Sequence, residues 1–149
     1  MRVVGTRSPA PVCARGTASR TVAAPEVVHN GAVPVRVLIV DDHESFRSSA
    51  RLLLEAEGYE VVGEAGTGAA GLSAAAELEP DVVLLDVHLP DLDGFDVAAR
   101  LTGGEAAPRI VITSSRDASD FGPLIRRSGA LGFVPKNELS GEALAALLD

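Results

Sequence analysis

The feature that most restricts the fold of this chain is a repeated alternation between short apolar runs and segments with apolar residues at helical spacing. The runs that we predict to be strands are Val35–Val40, Glu60–Glu64, Val82–Asp86, Arg109–Thr113 and Leu131–Val134. The segments that we predict to be helices are Ser45–Glu57, Gly68–Leu78, Gly94–Leu101, Ala118–Ser128 and Ser140–Leu148. Such alternation is typical of βα units that build a parallel sheet. We therefore predict an α/β domain of five units.

Composition agrees with a single aliphatic core. The chain has 149 residues, of which 46% are hydrophobic and only 3% aromatic, so Val, Leu, Ile and Ala must fill the interior. The fourth helical segment contains Gly122 and Pro123. Because proline suits the first turn of a helix and disrupts its interior, we expect the helix proper to begin near Pro123.

Charge and composition divide the chain at residue 34. Residues 1–34 contain four Arg and one Glu and have no apolar period, so we predict a disordered tail before a domain at residues 35–149. The domain contains nine basic and twenty acidic side chains, a formal balance of −11, which disfavours direct binding to nucleic acid or to anionic lipid. A lone Cys13 and the lack of a long apolar run predict a soluble protein of a reducing compartment, without a membrane span.

Polar residues end four of the predicted strands. Asp41 and Asp42 follow the first strand, and Asp86 ends the third. In a flavodoxin-like doubly wound sheet, with strand order 2-1-3-4-5, these two strands are neighbours and their carboxyl ends form the ligand crevice. Three converging carboxylates repel one another unless a hard cation compensates, and Mg²⁺ with one or two carboxylates is suited to phosphoryl chemistry. We predict a Mg²⁺ site with Asp86 as the nucleophile.

The remaining strand ends add a hydroxyl and a cation. Thr113 ends the fourth strand, and Lys136 follows the fifth. An ammonium group can neutralise a phosphoryl oxygen or the Asp86 carboxylate, and a threonine hydroxyl can donate to the same oxygens. Positioning and charge neutralisation supply most of the catalysis in phosphoryl transfer, so no general base is required.

Four segments in order, VLIVDDH, VVLLDVHLPDLDGF, IVITSS and GFVPK, resemble the receiver domains of two-component response regulators over about residues 35 to 149. The resemblance implies that Asp86 is phosphorylated and that Asp41, Asp42 and the backbone carbonyl of His88 complete the Mg²⁺ site with it. It also implies that Thr113 and Phe133 form the switch. Lys136 matches the lysine of the family pattern, and Pro90 and Gly94 shape the loop after Asp86.

The same resemblance implies the partners of the domain. They are a sensor histidine kinase or phosphotransfer protein as the donor and a downstream protein as the target, in the cytoplasm. A homodimer that forms on phosphorylation is compatible with it. The expected chemistry is a signalling phosphoacceptor with its own dephosphorylation rather than an enzyme acting on other substrates. Since no helix-turn-helix segment follows Asp149, we expect another protein to supply the output.

A dinucleotide-binding fragment is the main alternative. Gly66, Gly68 and Gly71 form a G-x-G-x-x-G pattern at a helix start, with Asp86 twenty residues past Gly66, as in the fingerprint that places pyrophosphate at a helix N-terminus. Against it, the strand before the glycines is not the first of the domain, and Lys136 is left without a role.

Three further interpretations compete with a phosphoacceptor receiver. An aspartyl-phosphate phosphatase needs a second acid two residues after its nucleophile, where this chain has His88. A degenerate receiver would keep only an interaction surface, which the complete acid and lysine set argues against. Asp42 or His43 alone could cap the first helix. We assign Asp91 and Asp93 to the turn and to capping the third helix.

Overall fold

The structure, a computed structural model, describes residues 28–29, 33–104 and 107–148. Within them one five-stranded parallel sheet contains β1 (Arg36–Val40), β2 (Glu60–Ala65), β3 (Val82–Asp86), β4 (Arg109–Ser114) and β5 (Gly132–Pro135). The spatial order is β2-β1-β3-β4-β5, which confirms the predicted fold. The strands contain many β-branched residues, which favour the extended backbone.

In the same described residues, five α-helices connect or follow the strands. They are α1 (Glu44–Ala56), α2 (Gly68–Leu78), α3 (Gly94–Leu101), α4 (Leu124–Arg127) and α5 (Gly141–Leu148). Helices α2 and α3 have the predicted bounds, and each begins after a side-chain cap. Thr67 accepts from the amide of Ala70, and Asp93 accepts from the amide of Phe95. These bonds satisfy amides that have no partner inside the helix.

The fourth helix is much shorter than the predicted segment Ala118–Ser128. A 3₁₀ turn covers Ala118–Asp120, and only four residues, Leu124–Arg127, are α-helical. Gly122 has φ +54°, a left-handed conformation that ends regular helix and that glycine adopts without strain. The predicted start near Pro123 is confirmed, because Pro123 is the N-cap residue.

The core lies in two layers, one on each face of the sheet. Alternate strand residues point to opposite faces, so Val37 and Ile39 pack with the buried Leu54 of α1 and Leu144 of α5. Their neighbours on β1 pack instead with residues of α2 and α3, among them Val97. The sheet is therefore covered on both faces, which leaves the strand ends as the place where polar groups can meet.

The chain before the sheet forms a short antiparallel pair between Val28–His29 and Val33–Pro34. Sequence analysis did not predict this pairing. The rest of the predicted tail at residues 1–34 lies outside the described residues. Across the part of the chain that the structure describes, no helix combines the length and the apolar character that a bilayer crossing requires.

Candidate functional site

Two neighbouring strands bring the acidic residues to one edge of the sheet. Asp41 directly follows β1, and Asp86 is the last residue of β3. The two strands pair in parallel, with Val40 opposite Leu85, so both carboxylates emerge at the same level. Asp41 is 1% exposed and Asp86 3% exposed. These groups are withdrawn from water, which makes their unpaired charge costly.

The acidic groups are close enough to share one cation. One carboxylate oxygen each from Asp41, Asp42 and Asp86 and one ring nitrogen of His43 all lie within 4.8 Å of one another. The His43 ring is 3.0 Å from Asp42 Oδ1 and 3.2 Å from Asp41 Oδ1. Carboxylate oxygens are the ligands that Mg²⁺ prefers. Thus the three acids that sequence analysis selected do converge, and their chemistry fits a hard divalent cation.

Capping does not explain these acids fully. His43 is the N-cap residue of α1 and makes no side-chain capping bond. Asp41 Oδ1 accepts from the amide of His43 at 2.8 Å, which uses one of its two oxygens. The other oxygen of Asp41, together with the carboxylates of Asp42 and Asp86, faces the shared site.

Lys136 supplies the positive charge of the site. It opens a short 3₁₀ turn, Lys136–Glu138, immediately after β5. Its Nζ lies 2.6 Å from Asp41 Oδ2 and 3.6 Å from Asp86 Oδ1, and 4.6 Å from the centroid of the Phe46 ring. Sequence analysis assigned this ammonium to a phosphoryl oxygen or to the Asp86 carboxylate. In the structure its closer contact is with Asp41, so one lysine serves both buried carboxylates.

The electrostatics of Asp86 differ from those of an ordinary carboxyl group. Its pKa is raised to about 6, first by burial and then by the carboxylate of Asp41, while the ammonium of Lys136 opposes the rise. Asp86 is therefore mostly ionised at neutral pH, yet its carboxylate is more basic than an exposed one. A buried, basic carboxylate is a better nucleophile and a better partner for a cation.

Thr113 lies beside Asp86 in the sheet, since the two residues are opposite each other in the β3–β4 ladder. Within the described residues the Thr113 hydroxyl is buried and has no hydrogen-bond partner. A buried hydroxyl normally has one. The free donor next to Asp86 fits the phosphoryl oxygens that sequence analysis assigned to it.

Phe133 belongs to a group of three aromatic rings. Its centroid lies 5.7 Å from that of Phe121, and Phe121 lies 5.6 Å from Phe95. Sequence analysis singled out Phe133 but not Phe121, which sits between the 3₁₀ turn and Gly122 in the region predicted to be helical. The assignment of Phe133 as a switch residue stays a prediction.

The loop after Asp86 turns sharply. The amide of Gly94 donates to the carbonyl of Val87 at 2.7 Å, and His88 pairs with Asp93 in an isolated bridge. A Cβ atom at Gly94 would collide with the backbone carbonyl oxygen of Asp86, so glycine is required there. The side chain of His88 is exposed, and its backbone carbonyl remains a predicted ligand.

Of the two acids assigned to the third helix, only Asp93 caps it. Asp93 is the N-cap of α3. The carboxylate of Asp91 accepts instead from the amides of Gly68 and Ala69, at 2.7 and 3.0 Å. Asp91 lies in the predicted turn, but the prediction that it caps α3 is wrong, because the loop folds across the start of α2 and presents Asp91 to that helix.

The glycine pattern of the dinucleotide alternative has a packing explanation. A Cβ at Gly68 would come within 2.8 Å of Leu92, and one at Gly71 within 2.9 Å of Val40. Moreover, the amides that a pyrophosphate would need at the start of α2 already bind Asp91. The structure thus disfavours a dinucleotide at Gly66, Gly68 and Gly71.

A second charged cluster lies next to the acidic site and was not predicted. Arg47 and Arg51 of α1 both bind Glu64 of β2, at 3.1 and 2.6 Å. Arg47 also donates through Nη1 to the backbone carbonyl of Asp41 at 2.6 Å. The pKa of Glu64 is lowered, and the hydrogen bond from Arg51 is the largest cause. The i, i+4 spacing of the two arginines was a signal for one helix face, but it does not identify Glu64 as their partner.

Comparisons with known proteins agree with this geometry. The model of the response regulator receiver domain matches residues 37–148. The transcriptional regulatory protein PdtaR of Mycobacterium tuberculosis is 35% identical over 120 residues, covering 74% of this chain and 58% of that protein. The signal receiver domain of NarL from Mycobacterium tuberculosis superimposes with a TM-score of 0.71 at 37% identity, covering 78% of this chain and 94% of that one.

One similar protein is named as an enzyme. Protein-glutamate methylesterase/protein-glutamine glutaminase 5 of Myxococcus xanthus is 42% identical over 123 residues, which cover 75% of this chain and 35% of that protein. The chain spans about half the length of the other curated relatives it matches. The similarity is therefore to one part of longer proteins.

Proposed function

Because this chain belongs to the response regulator receiver domains, a family of two-component phosphorelay signalling domains, we propose that Asp86 is its phosphoacceptor. The observation that carries the proposal is the meeting of Asp41, Asp42 and Asp86 within 4.8 Å, with the ammonium of Lys136 against two of these carboxylates. Together these groups provide a nucleophile, a cation site and a fixed positive charge. That set of groups is what phosphoryl transfer to a carboxylate requires.

In the proposed reaction a carboxylate oxygen of Asp86 attacks the phosphorus of a phosphohistidine. An O–P bond forms, the N–P bond breaks, and the imidazole of the donor, which carries a proton on its other ring nitrogen, leaves with the electron pair as a neutral group. Asp41, Asp42, Asp86 and the carbonyl of His88 would hold Mg²⁺, which neutralises the charge of the phosphoryl oxygens when it is bound. Lys136 and Thr113 would bind the remaining oxygens.

The proposed switch follows from the free hydroxyl of Thr113. Once Asp86 bears a phosphoryl group, the buried Thr113 hydroxyl can donate a hydrogen bond to a phosphoryl oxygen and so gains the partner that buried hydroxyls normally have. A shift of Thr113 leaves room for the ring of Phe133, which packs against Phe121, to move inward. The surface around β4 and β5 then changes, which is a common form of local switching.

We propose a sensor histidine kinase or a phosphotransfer protein as the donor and a downstream protein as the target, in the cytoplasm. A homodimer formed on phosphorylation is compatible with this scheme. Direct binding to nucleic acid is disfavoured by the excess of acidic side chains. In this proposal the domain catalyses only its own phosphorylation and dephosphorylation.

Intact-protein mass spectrometry after incubation with acetyl phosphate and Mg²⁺ tests the acceptor. The wild-type chain should gain one phosphoryl group, and Asp86→Asn should gain none because an amide is not nucleophilic enough. Asp96→Asn is the matched control, since Asp96 is an exposed acid on α3 and its amide variant should react like wild type. Phosphorylation of Asp86→Asn to the wild-type extent would reject Asp86 as the acceptor.

A further inference from the structure

The first turn of α2 is held by a side chain from a distant segment. Asp91 lies in the loop between β3 and α3, and its two carboxylate oxygens accept from the amides of Gly68 and Ala69 at 2.7 and 3.0 Å. These hydrogen bonds, that from Ala69 first, hold the pKa of Asp91 below its usual value. The carboxylate is therefore ionised at neutral pH and lies at the positive end of the helix.

The same loop contains His88, whose backbone carbonyl is a proposed ligand of Mg²⁺. The segment from Val87 to Asp93 is closed at its base, because Gly94 donates to Val87 and His88 pairs with Asp93. Its outer part has a separate attachment. There Leu92 packs so closely on Gly68 that a Cβ at this glycine would approach the Leu92 side chain to 2.8 Å, and Asp91 adds the hydrogen bonds to α2.

We propose that Asp91 is a positioning residue for Mg²⁺ binding, because its bonds to the start of α2 hold the loop that presents the His88 carbonyl. The inference rests on the proposed function. Asp91 touches neither the cation nor the phosphoryl group in this scheme. Mg²⁺ demands nearly ideal octahedral geometry, so a carbonyl on an untethered loop binds it less well. Groups that orient metal ligands commonly affect affinity in this way.

The coupling must be reciprocal. If the contact between Asp91 and α2 favours Mg²⁺ binding, then Mg²⁺ binding must strengthen that contact by the same factor. Addition of Mg²⁺ to the wild-type chain should therefore slow hydrogen exchange at the amides of Gly68 and Ala69. A cap that only stabilises α2 would leave these exchange rates unchanged.

Thr67 offers a matched control on the same helix. Its hydroxyl caps α2 by accepting from the amide of Ala70 at 3.0 Å, but Thr67 lies outside the loop that carries His88. Thr67→Ala therefore removes a cap of α2 and leaves the loop attached. Asp91→Ala removes a cap and the attachment together. Asp91→Asn keeps one acceptor oxygen and the size of the side chain, so it tests the idea if Asp91→Ala does not fold.

Isothermal titration calorimetry with MgCl₂ measures the effect on the full chain. We expect Asp91→Ala to bind Mg²⁺ about three- to tenfold more weakly than wild type, less than the loss typical of a residue that contacts a metal ligand directly. The affinity of Asp91→Asn should lie between those of wild type and Asp91→Ala. Thr67→Ala should match wild type within about twofold, the usual residual coupling between distant sites.

The outcomes separate this inference from the proposed function. Wild-type affinity in Asp91→Ala, or in Asp91→Asn if the alanine variant is unfolded, overturns the inference and leaves the phosphoacceptor intact. An equal loss of affinity in Thr67→Ala also overturns it, because stability of α2 would then explain the result. Absence of Mg²⁺ binding by the wild-type chain would instead reject the proposed site, and with it the inference.

Discussion

Two charged clusters lie at the carboxyl ends of adjacent strands, and they have opposite charge balances. At the end of β1 and β3 three carboxylates meet and one lysine contacts two of them, and the pKa of Asp86 is raised to about 6, chiefly by burial. At the end of β2 one carboxylate, Glu64, is shared by two arginines, and its pKa is lowered. In the first cluster acidic groups outnumber basic ones, whereas in the second two arginines face Glu64. The comparison distinguishes a cluster whose charge suits a cation from one whose ion pairs hold α1 against β2.

The largest expected effect tests whether the lysine is essential to the acidic cluster. Lys136→Ala removes the charge that faces both Asp41 and Asp86. We expect phosphorylation from acetyl phosphate to slow about a hundredfold, the usual loss for one group that stabilises developing charge. Intact-protein mass spectrometry of samples quenched at a series of times measures the phosphorylation rate.

Arg51→Ala is the control for that experiment, since it removes a cation from the other cluster. Its phosphorylation rate should stay within about threefold of wild type, because Arg51 pairs with Glu64 and Glu55 and not with the site acids. Equal slowing by both variants would remove the distinction between the clusters.

The next effect concerns stability without cation. The folded chain binds a proton at Asp86 more tightly than the unfolded chain does, so the contribution of Asp86 to stability falls as the pH rises from about 4 to about 6. Asp86→Asn avoids this cost, and we expect its free energy of unfolding in urea and EDTA to exceed that of wild type at pH 8 by about 1 to 3 kcal/mol. The gain should vanish below about pH 4, where Asp86 is protonated in both states. A destabilised Asp86→Asn at pH 8 would contradict the raised pKa.

The smallest effect has the opposite sign. Glu64→Gln breaks charged hydrogen bonds with Arg47 and Arg51, so we expect a loss of about 1 kcal/mol in the free energy of unfolding at pH 7, near the upper end for partly exposed pairs. Because the pKa of Glu64 is lowered on folding, this contribution is present above its usual pKa and disappears as the pH falls through the folded-state value. Urea unfolding at pH 7 and pH 3 measures the difference. A stability equal to wild type at pH 7 would show that this cluster contributes little.

Local pattern was sufficient for the elements and for the candidate acids. The apolar runs predicted the strands of the parallel sheet, and a polar residue at a strand end is visible in sequence, as with Asp41, Asp86 and Thr113. The interruption of the fourth helix at Pro123 follows from the chemistry of one residue. Each of these features depends on neighbours within a few positions along the chain.

What local pattern missed are contacts across loops. Asp91 caps α2 rather than α3, Lys136 lies closer to Asp41 than to Asp86, and Glu64 collects two arginines from α1. No periodicity in the chain specifies these partners. They depend on how far each loop reaches and on which way it turns.

The sequence by itself determined that this chain forms a five-stranded α/β sheet with acids, a hydroxyl and a lysine at its strand ends, because periodicity and strand-end polarity are local properties. Only the tertiary structure decided how charge is shared among those groups. The strength of an ion pair depends on distances of a few ångströms and on burial, and both quantities exist only once the loops have closed around the site.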